Sequence, residues 1–179
     1  MTEGMIVYYS RTGTVRQVAE ALAEQLGWPV AEVADETSRA GFGGDLRCVL
    51  DIVLHRAARY RFSGPDPADC NHVVVLAPVW LGRLATPMRS FLADYAATLS
   101  HVEHLSAICV MAARGGYRAM AEVNQLTGKI PTPALVLLQR DVLSGTATLD
   151  IDYFAQTLRL ADPDMARTQR PAWLSPNTT

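Results

Sequence analysis

Four short stretches of this chain are almost unbroken in apolar residues: Met5–Tyr9, Val73–Ala77, Ile108–Ala112 and Ala134–Leu138. A strand with one wet face alternates, so runs this short and continuous read as strands buried on both faces, as in a parallel sheet. Val30–Val33 is a weaker fifth run and suits a position nearer an edge. Between the runs the apolar period changes to that of a helix. Val15, Val18, Ala19, Leu22 and Leu26 share one helical face, with Thr14 and Gln17 as a capping box at its start. Leu46, Val49, Leu50, Val53, Leu54 and Ala57 make the clearest helix of all. Met88, Phe91, Leu92 and Tyr95 make another, with Thr86 as N-cap and Pro87 first inside it. Tyr117–Leu126, ended by Gly128 and Pro131, and Ile151–Leu160 complete the set. Strand and helix alternate five times, which predicts an α/β fold of three layers: a doubly wound, five-stranded parallel sheet with helices on both faces.

The chain has 179 residues, enough for one full domain, predicted over 1–160, followed by a polar tail over 161–179 that carries Pro163, Pro171 and Pro176. A formal charge of -2 gives no electrostatic case for nucleic acid. The arginines between Arg47 and Arg61 read as a solvated face. Cys48, Cys70 and Cys109 share no metal-type spacing and cannot all pair, which fits a reducing cytoplasm. There is no leader-like start, and no apolar run reaches the ~20 residues of a membrane span, so the expectation is a cytoplasmic protein.

In an open parallel sheet, ligands bind beyond the carboxyl ends of the strands where the winding reverses. Three unusual loops follow the first, third and fourth strands. The first is Ser10-Arg11-Thr12-Gly13-Thr14. Its hydroxyls can donate hydrogen bonds, its glycine lets the backbone curl, and the first amides of the following helix suit a phosphate dianion. A plain helix cap explains the same residues. No Gly-Lys-Ser/Thr follows and no Gly-x-Gly-x-x-Gly is present, which counts against ATP and dinucleotides.

Met5 through Thr14 resembles the opening of flavodoxins and related FMN proteins, where an apolar strand ends in a Ser/Thr-rich phosphate loop. Ala77-Pro78-Val79-Trp80-Leu81-Gly82, running on to Thr86-Pro87, is similar to the stretch those proteins carry after the third strand. The resemblance implies strand order 2-1-3-4-5, FMN as cofactor, and a flavin ring lying along Pro78–Gly82 with Trp80 as its aromatic neighbour. It also places the backbone of Ala113-Arg114-Gly115-Gly116-Tyr117, after the fourth strand, near the ring edge. An inward Arg114 would favour an anionic reduced flavin. The chain departs from the family in having Ala77 for a common glycine and Ala112-Ala113-Arg114 where Thr-Ser is usual. It lacks a long insertion in the last strand, as short-chain forms do, while Gly41–Leu46 resembles the lead into the second helix of a small-domain subgroup.

Other constellations are weak. His101 and His104 lack a third ligand nearby and read as surface histidines; Cys109 reads as inert packing; Asp150 and Asp152 read as helix caps. No Ser-His-Asp or Cys-His arrangement is evident, so no catalytic side chain is assigned. The resemblance implies a redox flavoprotein in which FMN carries the electrons. One form is an oxidoreductase taking hydride from NAD(P)H to a small acceptor, with a homodimer possible as in related reductases. The alternatives are an electron carrier serving a redox partner protein, or a binding module that has lost FMN. Carrier flavodoxins are usually strongly acidic, so a charge of -2 weakens the carrier form, while no clear nicotinamide-binding motif supports the reductase; the expectation leans slightly to a generic oxidoreductase.

Overall fold

A computed structural model describes residues 2–35 and 59–161. Its elements are β1 (Thr2–Tyr8), α1 (Thr14–Leu26), β2 (Val30–Asp35), β3 (Tyr60–Ser63), β4 (Cys70–Trp80) and β5 (Arg83–Leu84). They continue with α2 (Thr86–Asp94), α3 (Ala96–His101), β6 (His104–Met111), α4 (Gly116–Thr127), β7 (Ala134–Leu138), α5 (Gln139–Leu143) and α6 (Thr148–Ala161). The sheet runs β3-β2-β1-β4-β6-β7. Its five parallel strands therefore stand in the expected order, second, first, third, fourth, fifth.

Alternation along the buried strands divides the core into two. Met5, Val7, Val73 and Val75 point toward Met88, Phe91 and Leu92 of α2, Leu99 of α3 and Val123 of α4. Ile6, Val74, Leu76 and Ile108 point the other way, onto Val15, Val18 and Leu22 of α1 and Phe154 and Leu158 of α6. This is why both sides of each central strand had to be apolar.

Two strands go beyond the five expected. β3 pairs antiparallel with β2 and takes the sheet edge, which leaves β2 one place inside it. β5 folds back on β4 through a two-residue turn at Leu81 and Gly82. Helix starts also differ from expectation. Gly13, in left-handed conformation, is the N-cap of α1, and no side chain caps it, so Thr14 and Gln17 form no capping box. Ala85 caps α2, which puts Thr86 first inside the helix and Pro87 second. Helix α6 begins at Thr148, so Asp150 lies in its first turn, and Asp152 accepts a hydrogen bond from Gln25 instead of capping. His101 is exposed, but His104 is half-buried with its ring 5.3 Å from that of His72. The helix expected over Leu46–Ala57, the Gly41–Leu46 lead, Cys48 and the tail beyond Ala161 lie outside the described residues.

Candidate functional site

The chain leaves β1 for β2 on one side, and β4 leads to β6 on the other, so the winding reverses between β1 and β4. Their pairing ends at Tyr8 and Leu76, with one further bond from the Tyr9 amide to the Leu76 carbonyl at 3.1 Å. Beyond Leu76, β4 continues alongside β6 alone on its parallel side, to Val79 opposite Met111. Pro78 falls where β1 has ended, so its missing N–H leaves no ladder bond unmade on that side. The crevice opens there.

The loop Ser10–Thr14 fills the mouth of this crevice. Gly13 sits at φ 88°, a conformation that glycine adopts without the steric cost of a side chain. With no side-chain cap and no acidic residue in its first turn, α1 presents its positive end unopposed. Ser10 Oγ is buried and has no hydrogen-bond partner among the described residues. Thr12 Oγ1 and Thr14 Oγ1 lie 3.5 Å apart, and Gln139 Nε2 donates to Thr14 Oγ1 at 3.4 Å. Arg16 is committed elsewhere, donating to the Tyr8 hydroxyl at 3.0 Å and to Glu32 at 2.6 Å. Those two bonds, the Tyr8 one first, raise its pKa and keep it a fixed cation.

A cavity of about 240 Å³ stands over the loop. Ser10, Arg11, Thr12 and Thr14 form its polar side; Pro78, Val79 and Trp80 form the facing wall; Gln139 closes it from the end of β7. Trp80 is held from two directions. Tyr9 meets it edge-on at 5.9 Å, and the Arg11 guanidinium lies 5.8 Å from its ring centre. Tyr9 is itself anchored by a 2.8 Å bond from its hydroxyl to Asp35.

A second, more open cavity of about 510 Å³ shares Val79 and Ala112 with the first, so the two form one continuous groove. Its walls are the β4–β5 turn, with Leu81 and Gly82, and the loop after β6, with Ala113, Arg114 and Gly115. Leu81 and Gly82 both have positive φ, 50° and 77°, as a tight hairpin following the strand twist demands. Gly115 packs its backbone directly on that of Gly82, and a side chain there would fall on the Gly82 Cα. The two walls thus touch backbone to backbone.

Of the residues singled out in the sequence, Ser10, Arg11, Thr12, Thr14, Pro78, Val79 and Trp80 gather on the first cavity, and Leu81, Gly82, Ala113, Arg114 and Gly115 on the second. Gly13, Gly116 and Tyr117 line neither. Gly116 is pressed against Val136 of β7, and Tyr117 is 86% exposed at the start of α4. Arg114 is exposed on the groove rim. Gln139 and Arg118 also line the groove and went unread. Gln139 is the first polar residue after the fifth apolar run, and the rule that placed the other loops at strand ends would have found it. Cys109 is buried behind this site, and burial pushes its thiol up to about 12.

A doubly wound sheet reversing between β1 and β4, with an uncapped helix start in the crevice, defines the flavodoxin-like class of fold. Comparison with solved structures agrees. A flavoprotein from Lactobacillus acidophilus, crystallised in complex with FMN, superposes with a TM-score of 0.64 at 15% identity, covering 80% of this chain and 98% of that one. A flavodoxin from the domain Archaea gives 0.52 at 14%, covering 88% and 99%. Rubredoxin oxygen:oxidoreductase from Desulfovibrio gigas gives 0.58 at 14%, covering 93% of this chain but 37% of that larger one. The sequence matches no protein-family model and no curated protein. Among the described residues, no helix is long and apolar enough to cross a membrane, and no cluster of His, Cys, Asp or Glu could hold a metal.

Proposed function

We propose that this protein binds FMN in the groove and acts as an FMN-dependent oxidoreductase, with the phosphate at Ser10–Thr14 and the ring along Pro78–Gly82. The observation that carries the reading is Ser10 Oγ, buried without a partner beside an uncapped helix start. An isolated buried hydroxyl costs about 1–3 kcal/mol, and a phosphate oxygen would satisfy it. FMN fits the donor set: Ser10, Thr12 and Thr14 offer hydroxyls, and the α1 amides offer N–H groups without a competing carboxylate. The FMN complex of the Lactobacillus flavoprotein supports the same choice of ligand.

Bound FMN would supply the electron-transfer chemistry. The residues of this chain bind and orient. Trp80, fixed by Tyr9 and Arg11, offers a rigid flat wall, while Leu81 and Val79 exclude water from the groove. Arg114 and Arg118 border its open side and favour negative charge there. Those two cations favour an oxidoreductase with an anionic small-molecule donor or acceptor over a carrier.

The test is optical. Full-length protein titrated with FMN should quench the flavin fluorescence stoichiometrically, and Ser10→Ala should weaken that binding about tenfold, the loss expected of one charge-assisted hydrogen bond. A colourless protein that takes up no added FMN overturns the proposal. Anaerobic NADPH then separates the forms: rapid bleaching of the bound flavin supports the oxidoreductase, and persistent yellow supports a carrier.

A further inference from the structure

A third depression, of about 410 Å³, lies between α2 and α4 beside the β5 strand, lined by Arg83, Arg89, Arg118, Glu122 and Gln125, with Leu126 and Ala121 as its apolar lining. Three guanidinium groups gather there, and two of them, Arg83 and Arg89, share one carboxylate, Glu122. Glu122 lies between these two. Its Oε1 lies 2.8 Å from Arg89 Nε and 3.6 Å from Arg83 Nη1, and its Oε2 accepts the Leu84 amide at 3.0 Å. These contacts fix Arg83 and Arg89 in place, with side chains 25% and 16% exposed. Arg118, a turn earlier on α4, pairs with no carboxylate among the described residues. Arg114 stands exposed on the rim of the adjacent groove.

One arginine would suffice to neutralise Glu122 and tie α2 to α4. Gathering further cations around the same depression raises their mutual repulsion, and an anion arriving from solvent would relieve it. Arg118 lines this depression and the groove alike, so the two adjoin. A planar guanidinium is suited to phosphate oxygens, and two pre-fixed ones lose little freedom on binding.

We propose that this arginine basin is an anion subsite for the phosphate or pyrophosphate group of a small electron donor or acceptor, whose reacting end occupies the groove between Leu81 and Arg114. The assignment of the groove rests on the FMN reading above; the anion site itself does not. Its concave shape suits a small molecule better than the flat face of an acidic protein.

Inorganic pyrophosphate is the probe. Added to the full-length protein, with and without FMN, it should give saturable NMR shifts at the Leu84 amide and at the Arg83 and Arg118 side chains. Arg118→Gln should weaken that binding about tenfold, and added salt should weaken it further, with FMN uptake measured separately by absorbance. Shifts confined to Ser10–Thr14, an unchanged affinity in Arg118→Gln, or no saturation would overturn the proposal. So would binding of an oligoglutamate peptide where pyrophosphate fails, which would make the basin a protein-docking face. Loss of FMN uptake with pyrophosphate still bound at Arg118 would refute the cofactor reading and leave the anion site standing.

Discussion

Replacing Gly115 by alanine sets a methyl group against the Gly82 Cα, with the Gly82 nitrogen 3.2 Å away and its carbonyl carbon 3.4 Å away. Two costs follow, and they separate. Gly115 sits at φ +101°, where a side chain is strained whatever the space around it; a left-handed residue of this kind costs about 1–2 kcal/mol. Forcing a methyl into backbone-on-backbone packing adds about 1–3 kcal/mol, because neither loop can yield without moving a wall of the groove. Gly128 is the control. It closes α4 at φ +71° with nothing within 4 Å of the added carbon, so Gly128→Ala carries the backbone cost alone. With a urea slope of about 1–3 kcal/mol per molar, Gly115→Ala should unfold at a midpoint lower than that of Gly128→Ala by roughly 1 M. It should also loosen FMN binding, since the Gly82–Gly115 contact sets the spacing of the groove walls. Gly128→Ala should bind FMN as wild type does. Equal midpoints for the two variants would mean that the hairpin and the loop after β6 do not touch in solution, and the account of the groove would fail with them.

Three other perturbations have expected outcomes. Ser10→Ala removes an unpartnered buried hydroxyl, so without FMN it should be neutral or stabilising by up to about 1 kcal/mol in thermal unfolding; a marked loss of stability would show that Ser10 has a structural partner. Leu81→Asn exchanges a residue at φ 50° that is 68% exposed for one that tolerates this conformation, and should raise stability by about 0.5–1 kcal/mol while weakening any ligand that Leu81 covers. A chemical melt showing no gain would sink the hairpin assignment. The Cys109 thiol, pushed up by burial to about 12 from an ordinary 9.0, should resist alkylation at pH 8 until the protein unfolds, read by peptide mass mapping. Its folded pKa is the higher one, so its contribution to stability is fully present below pH 9 and is lost as pH rises through about 12, at up to about 1.4 kcal/mol per pH unit. Urea midpoints flat across that range would contradict so deep a burial.

What could be read in the sequence follows the range of the interactions that decide it. Unbroken apolar runs and helical periods are local, so the five parallel strands, α1, α4 and the order of the layers were legible, and so was the crevice between β1 and β4. β5 was not, because a two-residue strand has no period and exists only through its pairing with Val79 and Trp80. β3 alternates over four residues, too few to separate from a loop. The glycines of the third loop show a subtler limit. The resemblance set the backbone at Gly115 and Gly116 near the flavin edge, yet each has a neighbour in the protein that already excludes a side chain: Gly82 for one and Val136 for the other. A glycine in sequence says that something comes close; only the fold says what. The arginine basin lies at the far end of this scale. Arg83, Arg89 and Arg118 form no motif, and a net charge of -2 conceals them. They converge because the Leu81–Gly82 turn brings β5 back along β4, and because Glu122 on α4 reaches across to the Leu84 amide and to Arg89 on α2. A site assembled by one half-buried carboxylate in this way leaves no pattern along the chain. Glu122→Gln should therefore scatter Arg83 and Arg89 and weaken pyrophosphate binding, although removing a negative charge would by itself strengthen it; tighter binding in that variant would mean that Glu122 only competes with the anion and does not organise its site.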